Sequence, residues 1–175
     1  FKWGINEKYS TDKIKNIQWP TTAKFRPDGK LKCPPNIVNE LTIEYWFNKN
    51  DVYRHFNSKD YFEPRSMERF NTIQEGDVSK KSFKRLHRWR YSPTAAYGNN
   101  EVHLHPYKAR RLSVAEALAI QSLPKEFILP KTLSKSEMFK AIGNGVPYVM
   151  SRAIAHNIMI FFNSIDGGIK NVLYH

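Results

Sequence analysis

Apolar residues recur at helical spacing in two segments of the first half of the chain. The segment 36–47 follows two prolines, and its apolar positions fall on one face of a predicted helix: Ile37, Val38, Leu41 and Tyr45. A second helix is predicted over 66–74, where Met67, Phe70 and Ile73 recur every three residues. The segment 91–97 predicts a short strand that leads into a turn over 98–100.

The second half of the chain carries clearer helix signals. Ser113 and Glu116 form a predicted capping box, and the helix that follows is ended by the proline at position 124. Ser134 and Glu137 repeat the device, and Gly143 fits the stop of that helix. A last helix is predicted over 148–162, with a packing face formed by Val149, Ala153, Ile154 and Ile158.

Composition limits the class of protein. With 175 residues, of which 41% are hydrophobic and 14% aromatic, the chain can form one domain or two small lobes around a core. The single cysteine, Cys33, excludes an internal disulfide and a cysteine-rich zinc site and favours a reducing cytoplasm. No apolar run suits a membrane span and no signal peptide is recognisable, so no membrane partner is expected. The chain does not begin with Met, which predicts a processed product or a piece of a longer polypeptide.

The charge balance is strongly positive. Lys and Arg number 28 against 16 Asp and Glu, and the resulting net charge of +12 favours a polyanionic partner. The segment 79–90 holds six basic residues and no acid. This stretch either follows a phosphate backbone, with an arginine placed to bind guanine in the major groove, or forms a solvated face. The residues in it that we predict to contact DNA are Lys84, Arg85, Arg88 and Arg90.

The Gly143-Asn144-Gly145 triplet suits close contact with a ligand. Glycine has no Cβ, so the backbone can approach a ligand closely, and Asn144 offers both a donor and an acceptor. A helix that begins directly afterwards would direct free N–H groups to the same place. Taken alone, however, the triplet is more typical of an ordinary turn between two helices.

Two motifs in order resemble the last conserved blocks of the DNA (cytosine-5) methyltransferases. RRLSVAEALAIQSLP (Arg110–Pro124) resembles the ninth block, and IGNGVP (Ile142–Pro147) resembles the tenth. Pro93-Thr94 and His105-Pro106 stand where the family commonly has a Pro-Thr step and a His-Pro step. The chain departs from the family at positions 115 and 141, where alanine replaces a common Arg and a common Gln. The resemblance covers the last third to half of the chain.

The catalytic blocks of that family are missing from this sequence. The glycine-rich cofactor block, the Pro-Cys nucleophile block and the Glu-Asn-Val block precede this region in the family, and none occurs here. Cys33 is followed by proline and not preceded by it, so we do not expect it to be a nucleophile. The resemblance therefore implies that this chain holds no catalytic residue and that an N-terminal part or partner subunit supplies the catalytic core.

For the whole enzyme, the resemblance implies methyl transfer from S-adenosylmethionine to C5 of a flipped cytosine in duplex DNA, usually within a bacterial restriction–modification system. It implies one wall of the cofactor pocket, formed by Asn144, Gly145 and Val146. It implies a hinge between the lobes, formed by Arg110, Glu116 and Gln121. Thr94 would lie near the phosphate beside the flipped base, and weaker candidates for DNA contact are Asn99 and Asn100.

The fold class implied by the resemblance is mixed α/β. Residues 1–109 would form a small, irregular α+β recognition lobe rich in short strands, and residues 110–138 would hold the ninth block and the hinge. Residues 139–175 would hold the tenth block and a C-terminal helix that completes a doubly wound methyltransferase lobe. Without that lobe, the apolar face of Tyr148–Phe162 would be exposed.

Two other functions stay open. The positive charge and the missing nucleophile also fit a non-catalytic basic DNA-binding or regulatory module derived from this family. Charge alone would fit an RNA-directed or membrane-surface role, but that role leaves the ordered motifs unexplained. No metal site is expected, because His87 and His105 are not accompanied by a second cluster of ligands at suitable spacing.

Overall fold

The structure, a computed structural model, describes residues 8–95, 97 and 102–173, with side chains as far as Ile165. Short helices joined by irregular segments make up most of this part of the chain, together with one small sheet. The elements in chain order are α1 (Thr11–Lys15), a 3-10 helix (Asn39–Leu41), α2 (Ile43–Lys49), α3 (Glu68–Thr72), β1 (Lys84–Arg85), β2 (His103–Leu104), α4 (Val114–Ile120), α5 (Lys135–Asn144) and α6 (Tyr148–Leu173). The predicted turn over 98–100 lies outside the described residues.

The two capping boxes predicted from the sequence are confirmed. Ser113 Oγ accepts a hydrogen bond from the backbone N–H of Glu116 at 3.2 Å, and the N–H of Ser113 donates to the Glu116 carboxylate at 2.7 Å. Ser134 and Glu137 make the same two contacts at the start of α5, at 3.3 and 2.8 Å. Because each box satisfies N–H groups that have no partner within the helix, both helices begin at a fixed residue.

Both helices end at residues other than those predicted. α4 ends at Ile120, because Gln121 leaves the helical backbone region and Ser122 adopts a positive φ of 55°. α5 continues to Asn144, so the prediction that Gly143 is its stop is wrong. A Cβ on Gly143 would lie 2.6 Å from the backbone oxygen of Tyr97. This glycine is therefore required by close packing between two backbones and not by a reversal of the chain.

The first predicted helix is shorter than its apolar pattern indicated. Asn36 has a left-handed backbone, with φ of 64°, and the α-helix begins only after Thr42. Thr42 has an extended backbone and caps α2, since its Oγ1 accepts a hydrogen bond from the N–H of Tyr45 at 3.3 Å. The helix predicted over 66–74 is confirmed in its centre, where Phe70 of α3 is buried.

The sheet is a pair of parallel strands of two residues each. Lys84 pairs with His103, and Arg85 pairs with Leu104. The prediction of a strand over 91–97 is wrong, because residues 91–95 and 97 are irregular. The prediction of a lobe rich in short strands is also wrong for the part of the chain that the structure describes, where β1 and β2 are the strands that form.

The core lies between α2, α4 and α5. Phe47 of α2, Leu118 of α4 and Met138 of α5 are each at most 2% exposed. Leu86 and Leu112 extend this core into the irregular segments beside the sheet. The core therefore crosses both predicted boundaries, at 109/110 and at 138/139. The mixture of helices with one small sheet is compatible with a methyltransferase-like α/β fold.

α6 projects its apolar side chains into solvent. Val149 is 51% exposed, Ile154 48% and Ile158 40%, and Ala153 is exposed as well. The packing face predicted for this helix is therefore not buried within this chain, and the expectation that the chain alone exposes it is confirmed.

Among the described helices, none combines the length with the apolar character that a membrane crossing requires.

Replacing Gly143 with alanine is expected to destabilise the chain. The new methyl group would meet the Tyr97 backbone, and overpacking of about 1–3 kcal/mol exceeds the gain of about 1 kcal/mol in helix propensity. Urea unfolding should show a net loss of up to about 2 kcal/mol. Ala141→Gly, an exposed site on the same helix, measures the propensity term alone; a Gly143→Ala variant more stable than wild type would contradict the packing argument.

Candidate functional site

A buried carboxylate joins the first residues of the ninth-block motif. Glu116 is fully buried, and Arg110 donates two hydrogen bonds to it, from Nη1 to Oε2 at 2.8 Å and from Nη2 to Oε1 at 2.7 Å. The N–H of Ser113 donates to the same carboxylate through the capping box. His105 Nε2 lies 3.4 Å from Oε1. The structure thus brings Arg110 and Glu116 together in a bidentate pair, the geometry that Arg–carboxylate pairs favour.

Hydrogen bonding fixes the tautomer of His105. Its Nδ1 accepts from the backbone N–H groups of Tyr107 at 3.2 Å and Lys108 at 3.1 Å, so the ring proton is on Nε2. The Tyr53 hydroxyl lies 3.2 Å from this nitrogen, on the side from which the Glu116 carboxylate also approaches it. Burial lowers the pKa of His105, so the ring is neutral near pH 7. Burial alone would raise the pKa of Glu116, but the hydrogen bonds and charge of Arg110, together with the contact with His105, outweigh it and hold that pKa well below its ordinary value. The carboxylate is therefore charged at every physiological pH.

Gln121 connects α4 to the predicted cofactor turn. Its side-chain amide donates to the backbone oxygen of Ile142 at 3.1 Å, near the end of α5. Its own backbone oxygen accepts from the N–H of Tyr148 at 2.9 Å, at the start of α6. Gln121 is 7% exposed. One buried residue therefore holds both ends of the turn that carries Asn144.

The predicted cofactor-contacting residues form an exposed edge at the end of α5. Asn144, Gly145 and Val146 are all exposed, Val146 by 59%. The backbone N–H groups at the start of α6 are already bonded, Tyr148 to Gln121 and Val149 to Ser122 Oγ at 3.0 Å. The expectation that these first N–H groups are free for a ligand is therefore wrong for both. What the edge offers is the Asn144 amide and the uncovered backbone beside Gly145.

Arg85 does not contact solvent, so the prediction that it binds DNA is wrong. Its side chain is fully buried, and its three nitrogens donate to the backbone oxygens of Ile73, His105, Lys108 and Phe70. The guanidinium also lies 3.7 Å from the centre of the Phe25 ring. Burial lowers the pKa of Arg85 to about 10, and the side chain stays charged at neutral pH. Its donors hold four backbone carbonyls, one in α3 and three in the irregular segments that follow α3 and β2.

Arg88 is likewise committed to the protein, and the prediction of DNA contact is wrong for it too. Nε and Nη2 each donate to the Glu75 carboxylate at 2.8 Å, and Nη1 donates to the backbone oxygen of Gly29 at 2.7 Å. Arg88 is 7% exposed and Glu75 3%. Glu75 was not predicted as a partner of Arg88, because the two residues are thirteen positions apart and no local sequence pattern links them.

The other predicted DNA contacts remain accessible or undescribed. Lys84 and Arg90 are half-buried, and Thr94 is exposed. Asn99 and Asn100 lie outside the described residues. DNA contact at these five positions stays a prediction.

Cys33 is not activated as a nucleophile, and no cluster of potential metal ligands forms in the described part of the chain. Cys33 is half-buried, its S–H lies 3.5 Å from the backbone oxygen of Pro34, and burial raises the pKa of the thiol, which favours the protonated form. Within residues 8–95, 97 and 102–173, no group of three or more His, Cys, Asp or Glu side chains could hold a metal ion.

The Glu116 network predicts a defined pH dependence of stability. The pKa of Glu116 is lower in the folded chain, so its stabilising contribution is complete above the ordinary glutamate pKa of 4.5 and declines as the pH falls below it. Glu116→Gln should lower the free energy of unfolding by about 3–5 kcal/mol at pH 7, because it leaves the guanidinium of Arg110, whose side chain is only 15% exposed, without its counter-charge. The gap to wild type should narrow at pH 3.5. Glu126→Gln, at an exposed site, is the control; a gap that is equal at both pH values would contradict the assignment.

The sequence matches a known protein family along most of its length. The family described as C-5 cytosine-specific DNA methylase matches residues 4–159. The chain is 57% identical over 148 residues to the type II methyltransferase M.NmeDI of Neisseria meningitidis serogroup C, a match that covers 83% of this chain and 34% of that protein. It is 39% identical over 66 residues to a putative type II methyltransferase, M.OihORF3336P, of Oceanobacillus iheyensis, which covers 38% of this chain and 13% of that protein.

The chain spans at most about a third of the length of these relatives. No solved structure matches it. The family match extends well beyond the two motifs and includes the segment that holds the buried Arg85 and Arg88. This chain belongs to the C-5 cytosine-specific DNA methylase family.

Proposed function

We propose that this chain is the C-terminal, target-recognition portion of a DNA (cytosine-5) methyltransferase. The observation that carries this proposal is the exposed edge at Asn144, Gly145 and Val146, which is held rigidly by Gln121 and continues directly into an uncovered apolar helix. An edge and a helix arranged in this way suit a pocket wall and an interface that other polypeptide completes. Residues 1–109 would serve as the recognition segment, 110–138 as the hinge and 139–175 as the part that joins the catalytic lobe.

The apolar surface of α6 supports a covering partner. Ten large hydrophobic side chains on this helix are at least 36% exposed: Tyr148, Val149, Met150, Ile154, Ile158, Met159, Ile160, Phe161, Phe162 and Ile165. An apolar surface of this extent is typical of a protein interface and not of a solvated helix. The N-terminal catalytic part of the enzyme is the polypeptide that we expect to cover it, because the chain spans about a third of its Neisseria relative.

The exposed edge fits one wall of a cofactor pocket. Asn144 can donate and accept a hydrogen bond, and Gly145 leaves backbone open to contact by a flat ligand. S-adenosylmethionine, bound between this wall and the catalytic part, would supply the methyl group that reaches C5 of cytosine. Within this chain, Gln121 would keep the wall at a fixed position relative to α4.

The Glu116 network fits the role of the hinge. It ties the loop that contains His105 and Arg110 to the first turn of α4, and Gln121 at the other end of α4 ties that helix to the turn at Asn144. These contacts would thereby fix the position of the recognition residues relative to the cofactor wall. The Neisseria relative is named a type II methyltransferase and the Oceanobacillus relative a putative one. We therefore place the proposed enzyme in a bacterial restriction–modification system, in the cytoplasm, with base flipping as part of its mechanism.

A second function is favoured by the protonated thiol of Cys33 and by the net charge of +12. These features suit a non-catalytic basic module that binds DNA without taking part in methyl transfer. The two functions differ in what they require of Asn144, because only the first places it beside a cofactor.

A hybrid enzyme tests the proposal. We expect a hybrid in which this chain replaces the matching third of the Neisseria relative to transfer tritiated methyl groups from S-adenosylmethionine to DNA, whereas the chain alone transfers none. Asn144→Ala in the hybrid should raise the KM for S-adenosylmethionine about tenfold, because the loss of one hydrogen bond costs about 1–1.5 kcal/mol. Thermal unfolding of the variant should match that of the unmodified hybrid.

Asn71→Ala is the matched control, because Asn71 is an exposed asparagine of α3 that is not part of the proposed cofactor wall. Its KM for S-adenosylmethionine should stay within twofold of the hybrid. If Asn144→Ala leaves both the KM and the rate of methyl transfer unchanged, the cofactor wall is wrongly placed and the non-catalytic module gains support.

A further inference from the structure

A group of basic side chains lies around Phe83. Three adjoining cavities of about 530, 570 and 320 Å³ all have Phe83 in their walls. We call the surface that they form together the Phe83 cleft. Its basic side chains are Arg65, Arg69, Lys80, Arg111 and Lys140.

Phe83 is held in an unusual conformation at the centre of this cleft. Its backbone φ is +60°, in the left-handed region that bulky side chains avoid, so the surrounding structure imposes this position. Its ring packs edge-on against Phe70, with 6.0 Å between the ring centres. The guanidinium groups of Arg69 and Arg111 lie 5.2 and 5.8 Å from the centre of the same ring. One aromatic ring therefore positions two cations on the cleft wall.

Arg111 has unused hydrogen-bonding capacity inside the cleft. Its Nε is buried and finds no acceptor among the residues that the structure describes. Its guanidinium also lies 5.4 Å from the centre of the Phe62 ring, and burial, followed by the charge of Arg65, lowers the pKa of Arg111. A buried donor of this kind is normally satisfied by a hydrogen-bond acceptor. An anion in the cleft would supply it.

The charge and chemistry of the cleft favour an extended polyanion. Five basic side chains face two acidic ones, Glu63 and Glu68, both of which lie in the wall of one of the three cavities. Hydroxyl groups line the cavities as well, those of Ser82, Ser136 and Thr72. Interleaved cations, hydroxyls and aromatic rings are the groups that proteins use to hold a phosphodiester backbone.

The cleft is joined to the proposed cofactor wall by α5. Phe139 and Lys140 line the cavity of about 530 Å³, whose walls contain no acidic side chain. Asn144 follows Lys140 by about one helical turn on the same helix. A phosphate held in this cleft would therefore lie near the wall on which the target base must be presented.

We propose that the Phe83 cleft binds the phosphodiester backbone of duplex DNA, with Arg69, Lys80 and Arg111 as the residues that contact phosphates. This proposal rests on the proposed function in one respect, that DNA is the substrate. The principal DNA contacts are then not made by Arg85 and Arg88, whose charges are buried. They are made by three side chains that were not among the residues predicted from the sequence.

Binding of the full chain to a fluorescein-labelled 30-base-pair duplex, measured by anisotropy between 50 and 300 mM KCl, tests the proposal. Arg69→Gln/Lys80→Gln changes two exposed side chains, so the fold should be kept. We expect the Kd to rise at least about tenfold at 100 mM salt and the slope of log K against log salt to fall by about two, one for each lost phosphate contact. Arg111→Gln, with a thermal melt to verify folding, should reduce the slope by about one.

Arg54→Gln/Lys125→Gln is the matched control. It also removes two positive charges from exposed positions, but these positions lie outside the cleft. They belong to two loops that are joined by a hydrogen bond from His55 Nε2 to the backbone oxygen of Phe127. Its Kd should stay within twofold of wild type. An equal loss in cleft and control variants, or no loss in the cleft variants, would overturn the cleft assignment.

The two proposals fail separately. If the cleft variants bind DNA normally while methyl transfer by the hybrid still depends on Asn144, only the cleft assignment is wrong. If the hybrid never transfers methyl groups while DNA binding by the chain depends on the cleft, the proposed function is wrong and the cleft assignment stands.

Discussion

The described structure depends on one charge that is kept out of water. A buried carboxylate is costly unless every oxygen is paired, and Glu116 is paired with the guanidinium of Arg110, the N–H of Ser113 and the ring of His105. Because these groups come from the loop before α4 and from its cap, the carboxylate fixes where α4 begins and which way it points. Gln121, which follows the last residue of α4, then fixes the position of the end of α5 and of the start of α6. The position of the exposed edge at Asn144 follows from that sequence of contacts.

Features of the chain that arise within a few residues could be predicted from the sequence, and features that arise over long separations could not. Both capping boxes are local, and both are present. The apolar pattern after residue 36 predicted a single helix, but Asn36 and Thr42 interrupt it because tertiary packing overrides periodicity there. Which arginine points inward could not be predicted either, since the acceptors of Arg85 lie 12 to 23 residues away along the chain.

The basic run of the sequence overstates the number of cations that a partner can contact. Arg88 is neutralised by Glu75 inside the protein, Arg110 by Glu116, and Arg85 is surrounded by carbonyl oxygens. The cations that a partner can contact are consequently other side chains, among them those that line the Phe83 cleft. A basic run in a sequence therefore does not by itself identify the residues that contact an anion, because burial decides which of its cations are accessible.

The hydrogen bonds of the Arg85 guanidinium are made to the main chain and not to side chains. Arg85 holds the segments around Phe70, Ile73, His105 and Lys108 through their backbone oxygens, a group that every amino acid possesses. The shape of these loops is therefore set largely by one interior cation and depends little on which side chains the loops display outward. A scaffold of this kind can acquire new surface chemistry by substitution, and with it new binding preferences, while its main-chain path stays the same.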